Sequence, residues 1–314
     1  MTAEKDPQGG EAALGVFFGT PMILDEPTLR KLNALSLIAK RVRAGRMRGD
    51  RRSSKRGTSI EFADFRSYVP GDDLRRLDWN IYARLDRPFI RLFEDEEDLA
   101  VYLLLDGSLS MDWGEGDENK FAYGLRLAAA LGAIALGGGD PCRFELLAGE
   151  PAGAHFGPAR GGHQTLRYLQ LLGTLSPAGE TALAAALTQF ALNRRRPGLV
   201  FLISDLLDPA GVQNGLTHLL GRGHQVVVLH TLAPDELDPH LSGDLKLIDR
   251  EYGSTQEVTL DPVVLGGYRR QLKTWLDELE GFCRARGIGY VRTSTGSPWD
   301  RFILRELRAE GVVK

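Results

Sequence analysis

From Leu99 onward, short apolar runs alternate with longer segments whose apolar residues recur every three or four positions. Leu99–Leu105, Leu199–Ile203, Gln225–Leu229 and Tyr290–Thr293 predict strands buried on both faces. Asn119–Leu136, Gln164–Leu175, Ala182–Leu192, Ala210–Leu220 and Pro262–Ala285 predict helices. Strands separated by helices in this way pair in parallel through right-handed crossovers. Arg143–Leu147 and Ala154–Phe156, joined by Gly149-Glu150-Pro151, predict a hairpin at one sheet edge. Lys246–Asp249 and Gln256–Leu260, flanking Tyr252-Gly253-Ser254, predict a hairpin inserted near 244–260. The fold class over 99–314 is therefore α/β, a doubly wound, mostly parallel sheet of Rossmann type.

Upstream the periodicity is weaker. Residues 1–26 read as a weakly ordered arm, broken by Gly9-Gly10 and Pro21. The span 27–98 predicts a helix from Pro27 with Leu29, Leu32 and Leu35 on one face, then a basic stretch, then a small β-rich subdomain over Ser59–Glu94 turning at Pro70-Gly71. In that subdomain Arg66, Asp72, Asp73, Arg75 and Asp78 are expected to satisfy one another while Tyr68 and Trp79 fill a small core.

Composition narrows the function classes. A hydrophobic fraction of 43% with 26% charged residues is that of a globular chain, and the formal charge of −3 argues against a surface built throughout for nucleic acid. Lys40–Arg56 holds nine basic residues against one acid. It lacks aromatic residues for stacking on bases, so a solvated or internally paired face is preferred over nucleic acid or an anionic surface. Cys142 and Cys283 read as reduced packing thiols. No uninterrupted apolar stretch approaches the ~20 residues of a bilayer span and no export signal is visible, so the expected location is cytoplasmic.

The chemistry gathers at the ends of the strands. Asp106-Gly107-Ser108-Leu109-Ser110 directly follows the run Leu99–Leu105, Thr181 opens an Ala-rich helix after Pro177-Ala178-Gly179-Glu180, and Asp205 ends the strand from Leu199. In a doubly wound sheet these points share one edge. Asp106, Ser108, Ser110, Thr181 and Asp205 together offer the hard oxygens that Mg²⁺, or Mn²⁺ or Ca²⁺, takes alongside retained water. The six histidines show no paired metal-ligand spacing, and no His or Glu stands at a spacing that would make it a general base.

This set resembles the metal-ion-dependent adhesion site of von Willebrand factor type A domains, whose pattern is Asp-x-Ser-x-Ser, a later Thr and a later Asp at a strand end. The resemblance implies that Ser108, Ser110 and Thr181 ligate the metal by hydroxyl while Asp106 and Asp205 act through water and hydrogen bonds. One departure is that Gly179-Glu180 precede Thr181 where that family often has two glycines, which puts a carboxylate beside the site. Taken with Arg66–Arg75, Asp78-Trp79 and Ala83-Arg84, the chain from about Arg56 resembles the bacterial family called domain of unknown function 58. That resemblance implies a von Willebrand A-like domain behind a small β-rich region, association with MoxR-type AAA+ ATPases, and no established enzymatic activity.

The expectation is a non-catalytic, cation-dependent protein-interaction module that takes an acidic side chain of a partner at the metal and serves a MoxR-type AAA+ ATPase. The alternatives are a metal-dependent hydrolase using Asp106 and Asp205, and nucleic-acid or anionic-surface binding through Lys40–Arg56.

Overall fold

The computed structural model describes residues 16–17, 20–21, 23–38, 61–69, 77–94, 99–150, 152–193, 196–240, 243–249, 251 and 253–314. Lys40–Arg56, most of the arm 1–26, Pro70-Gly71, and Asp72, Asp73 and Arg75 lie outside the described residues. The chain divides into two compact units, one of residues 46–98 and one combining 1–45 with 99–314.

The larger unit is built on one sheet. Val101–Leu105 (β1), Cys142–Leu146 (β2), His155–Ala159 (β3), Leu199–Ser204 (β4), Gln225–Leu232 (β5) and Gly289–Ser294 (β6) lie in the order β6-β5-β4-β1-β2-β3. All neighbours are parallel except β2 and β3, which pair antiparallel at the edge. β2 is more than half of a hairpin, because a full helical crossover precedes it and sets it parallel to β1.

The helices Lys120–Gly137 (α1), Thr165–Leu172 (α2), Leu183–Asn193 (α3), Gln213–Gly221 (α4) and Pro262–Arg286 (α5) cover both faces. Alternation along β1 explains the two cores. Val101, Leu103 and Leu105 pack with α1 and α2, whereas Ala100, Tyr102 and Leu104 pack with Leu187 of α3, Leu216 of α4 and Leu279 of α5. Cys142 belongs to the first core and Cys283 to the second, so the sheet separates the two free thiols. Burial pushes the Cys142 thiol up to about 12 and the Cys283 thiol up to about 11, which keeps both protonated and inert.

Helix α1 is apolar all round, and every residue from Leu127 to Leu136 is buried. By length and composition alone it is apolar enough to cross a membrane, although Lys120 and Arg126 interrupt it and 78% of it is buried inside the fold. Its apolar circumference is used inside the fold: Leu24, Leu32, Leu37, Phe302, Ile303, Leu307 and Val313 belong to the same core. The short helix Glu26–Leu32, grouped by sequence with the β-rich region, thus falls in the α/β unit. Ser36, just beyond that helix, and Lys314 exchange backbone hydrogen bonds of 3.0 and 2.9 Å there.

In the smaller unit, Glu61–Ser67 and Phe89–Glu94 pair antiparallel, with a register shift between Phe62 and Asp64. Asp78 caps the helix Trp79–Leu85 by accepting from Asn80 N at 2.9 Å and Ile81 N at 3.1 Å. Leu77 and Ile90 are buried, but Trp79 is 63% exposed. The expected core role of Trp79 is corrected: as the first residue of a capped helix it points outward, in edge contact with Tyr82.

Candidate functional site

Strand order reverses at β1, which lies between β2 on one side and β4 on the other. The loops after β1 and β4 carry Asp106 and Asp205, so both sit where ligands collect in open α/β sheets. Backbone bonds fix the neighbouring loops. Asp106 N donates to Ile203 O at 2.9 Å, Leu109 N to Gly179 O at 3.0 Å, and Ala178 N to Gly107 O at 2.8 Å. The last two tie the Asp106 loop to the segment leading into Thr181.

Four of the five expected side chains form one connected set. Ser108 Oγ donates to Asp106 Oδ1 at 2.7 Å, and Ser110 Oγ lies 3.0 Å from Ser108 Oγ and 3.3 Å from Thr181 Oγ1. Asp106, Ser108 and Thr181 are buried and Ser110 is partly so. Asp106 Oδ1 also accepts from Ser108 N, and Oδ2 accepts from Ser204 Oγ at 2.7 Å. Burial, together with the charge of Asp205, raises the Asp106 carboxyl to about 6, against the opposing hydrogen bonds from Ser204 and Ser108.

Asp205 stands one step aside, with no direct bond to the three hydroxyls among the described contacts. Its Oδ2 accepts from Lys120 Nζ at 2.6 Å and its Oδ1 from Leu207 N at 3.1 Å. Lys120 also donates to Glu236 Oε1 at 2.6 Å, so one buried ammonium bridges two carboxylates. Burial pulls the Lys120 pKa down, but the two carboxylates outweigh it and hold it above its ordinary value. Burial raises Glu236 in spite of Lys120. His230 Nε2 lies 2.8 Å from Asp205 O and Nδ1 lies 2.6 Å from Tyr290 Oη. The carbonyl can only accept, so Nε2 carries the proton and Nδ1 accepts from the tyrosine. Burial lowers His230 to about 4, leaving it neutral and structural.

Leu206, between these loops, is buried and has a φ of 59°. A left-handed leucine costs about 1–2 kcal/mol, and here its N–H is held by Ser204 Oγ at 2.9 Å. Ser204 thus couples Asp106 to the strained turn after β4.

A carboxylate from far along the chain reaches the hydroxyls. Glu251, in the turn of the 243–260 hairpin, accepts from Thr181 Oγ1 at 2.5 Å and Ser110 N at 3.2 Å through Oε1, and from Thr181 N at 3.0 Å through Oε2. Glu180, the carboxylate expected beside the site, is exposed instead. Lys120, Ser204, Glu236 and Glu251 were not legible as site residues, although a lone lysine heading an apolar helix was a usable signal.

The donor set suits a small hard cation. Two oxygens on adjacent octahedral positions about 2.1 Å from Mg²⁺ lie about 2.9 Å apart, and about 3.5 Å apart around the larger Ca²⁺. The spacings from Ser110 Oγ, 3.0 Å to Ser108 Oγ and 3.3 Å to Thr181 Oγ1, fall between those two values. Among the described residues no group of three or more His, Cys, Asp or Glu is placed to hold a metal.

Residues 64–274 match the family described as Protein of unknown function DUF58. An uncharacterized protein of Mycobacterium tuberculosis and one of Mycobacterium bovis are each 30% identical over 287 residues, covering 90% of this chain and 90% of each relative. Among solved structures, the conserved hypothetical protein BatB from Bacteroides thetaiotaomicron aligns with a TM-score of 0.40 at 15% identity, covering 68% of this chain and 98% of that one.

Proposed function

Because the chain belongs to the DUF58 family, we propose that it is a non-enzymatic protein-interaction module whose von Willebrand A-like unit uses Mg²⁺, or Mn²⁺ or Ca²⁺, to bind an acidic side chain of a partner. The observation that carries this reading is the chain of three adjoining hydroxyls, Ser108, Ser110 and Thr181, backed by Asp106. Ser108, Ser110 and Thr181 would hold the ion, and the ion would supply an open coordination position with enough residual field to draw a carboxylate.

The chain's own residues prepare that site. Asp106 takes the proton side of the Ser108 hydroxyl, which turns an oxygen lone pair toward the other two hydroxyls and fixes its rotamer. Ser204 holds the other Asp106 oxygen. Asp205 stands behind the site, where the bond from Lys120 Nζ at 2.6 Å holds its carboxylate in place. Trp113 and Leu207, exposed on the same two loops, give a partner apolar surface beside the polar centre.

A binding role is favoured over hydrolysis because Asp106 and Asp205 are both buried and every one of their carboxylate oxygens accepts a hydrogen bond, which suits them to support the hydroxyls. Partnership with a MoxR-type AAA+ ATPase in the cytoplasm is the cellular setting of this proposal. Mn²⁺ or Mg²⁺ at a hundredfold excess over its Kd should stabilise the folded chain by about 2.7 kcal/mol, or about 5 °C in Tm. Asp106→Ala and Ser108→Ala should each erase that gain in a thermal-shift assay, and an equal gain in both variants would remove the site.

A further inference from the structure

Glu251 has no role in the site as proposed, yet both of its carboxylate oxygens are bonded there. It arrives from outside the sheet. Gly243–Ile248 and Thr255–Leu260 pair with each other through six rungs and with no other strand among the described residues. Most of their described positions are exposed, including Ile248 at 63%. A two-stranded ribbon of this kind is marginal by itself.

Its turn is built to present one residue. Asp249 Oδ1 accepts from Glu251 N at 2.8 Å, Gly253 N donates to Asp249 O at 2.9 Å, and Asp249 N donates to Ser254 O at 2.8 Å. Gly253 has a φ of 66°, the left-handed value that lets the turn close. The carboxylate that emerges meets the Thr181 hydroxyl, the Thr181 N–H and the Ser110 N–H, all donors on the two loops that would carry the cation. The half-buried Glu251 carboxylate thus joins the hairpin turn to Thr181, 70 residues away in the chain.

We propose that the 243–260 hairpin is a tethered ligand of its own binding site, with Glu251 occupying the place of the partner's carboxylate. This inference rests on the cation-binding reading above. The pose defines the partner group as a carboxylate on a flexible stem, delivered by an exposed turn and accepting from the Ser110 and Thr181 N–H groups. It also makes the free protein self-restrained, because a partner binds only as the hairpin lifts away. A site covered for about nine-tenths of the time shows an apparent affinity about tenfold weaker than its intrinsic one.

The test uses the full chain and its Glu251→Gln and Glu251→Ala variants, with Mn²⁺ as the metal and N-acetylglutamate amide as the carboxylate probe. Water-proton relaxation by bound Mn²⁺ reports exchangeable water at the ion. The expected result is higher relaxivity per bound Mn²⁺ in both variants than in the wild type, lowered again by the probe at about tenfold smaller concentration than the wild type needs. Equal relaxivity and equal probe affinity in all three proteins, with Mn²⁺ bound, would overturn the tethered ligand and leave the cation site standing. Absence of bound Mn²⁺ from all three would overturn the cation site and the tethered ligand with it.

Discussion

Lys120→Met is expected to lower the stability of the α/β unit by about 3–5 kcal/mol, the cost of leaving buried carboxylates without their countercharge. The side chains of Lys120 and Asp205 are 1% and 0% exposed, and that of Glu236 is 18% exposed. Methionine keeps the length and the apolar stem but removes the ammonium that both acids accept from at 2.6 Å. Asp205, unable to reach water, then faces Asp106, whose carboxyl its charge already disfavours. The variant Lys120→Met with Asp205→Asn should recover part of the loss, since the second change removes the stranded charge. Urea denaturation of the wild type and the two variants gives the comparison. A loss below about 1 kcal/mol for Lys120→Met would mean that the triad is not the buried ion network described here.

Gly107→Ala is the second large effect, and its cause is space. A Cβ at Gly107 would stand 2.3 Å from Ala148 O and 2.9 Å from Leu146 Cδ1. Ala148 O is backbone rather than the far end of a flexible side chain, so the two loops must shift apart. Overpacking of this kind costs about 1–3 kcal/mol or more, and the displaced loop also carries the Gly107 carbonyl that accepts from Ala178 N at 2.8 Å. The variant should therefore lose both stability and the thermal response to Mn²⁺. Gly162→Ala is the control: nothing stands within 4 Å of its Cβ, and the effect should stay within about 1 kcal/mol. Indistinguishable unfolding midpoints for the two alanine variants would contradict the close approach at Gly107.

The strands were the most legible part of the chain because burial on both faces leaves little room for polar residues. Leu99–Leu105 and Leu199–Ile203 became β1 and β4 with ends within a few residues of the expectation. Cys142–Leu146 was legible as a strand, but its hydrophobic alternation matches an edge hairpin, and only the tertiary path through α1 makes it parallel to β1. Trp79 was misplaced for the opposite reason: a large aromatic residue suggests a core, while the cap formed by Asp78 fixes which way the helix start faces.

Within the site, Asp106, Ser108, Ser110 and Thr181 were legible because strand ends and helix starts on one sheet edge must converge. The geometry joins these four directly. Asp205 reached the same edge but is held by Lys120, 85 positions away in sequence. Glu251 is not legible in the sequence because a charged residue in a hairpin turn looks like any solvated turn, and only the folded hairpin brings it to Thr181.

In the proposed site Ser108, Ser110 and Thr181 hold one divalent cation together. A titration of Mn²⁺ into the full chain, followed by electron paramagnetic resonance of the free ion, tests it most directly. One bound Mn²⁺ per chain is expected, with affinity reduced at least about tenfold in Ser110→Ala and in Thr181→Ala, the loss typical when a metal site is deprived of one supporting group. Full-affinity binding in both variants, or no bound Mn²⁺ in the wild type at millimolar concentration, would contradict it.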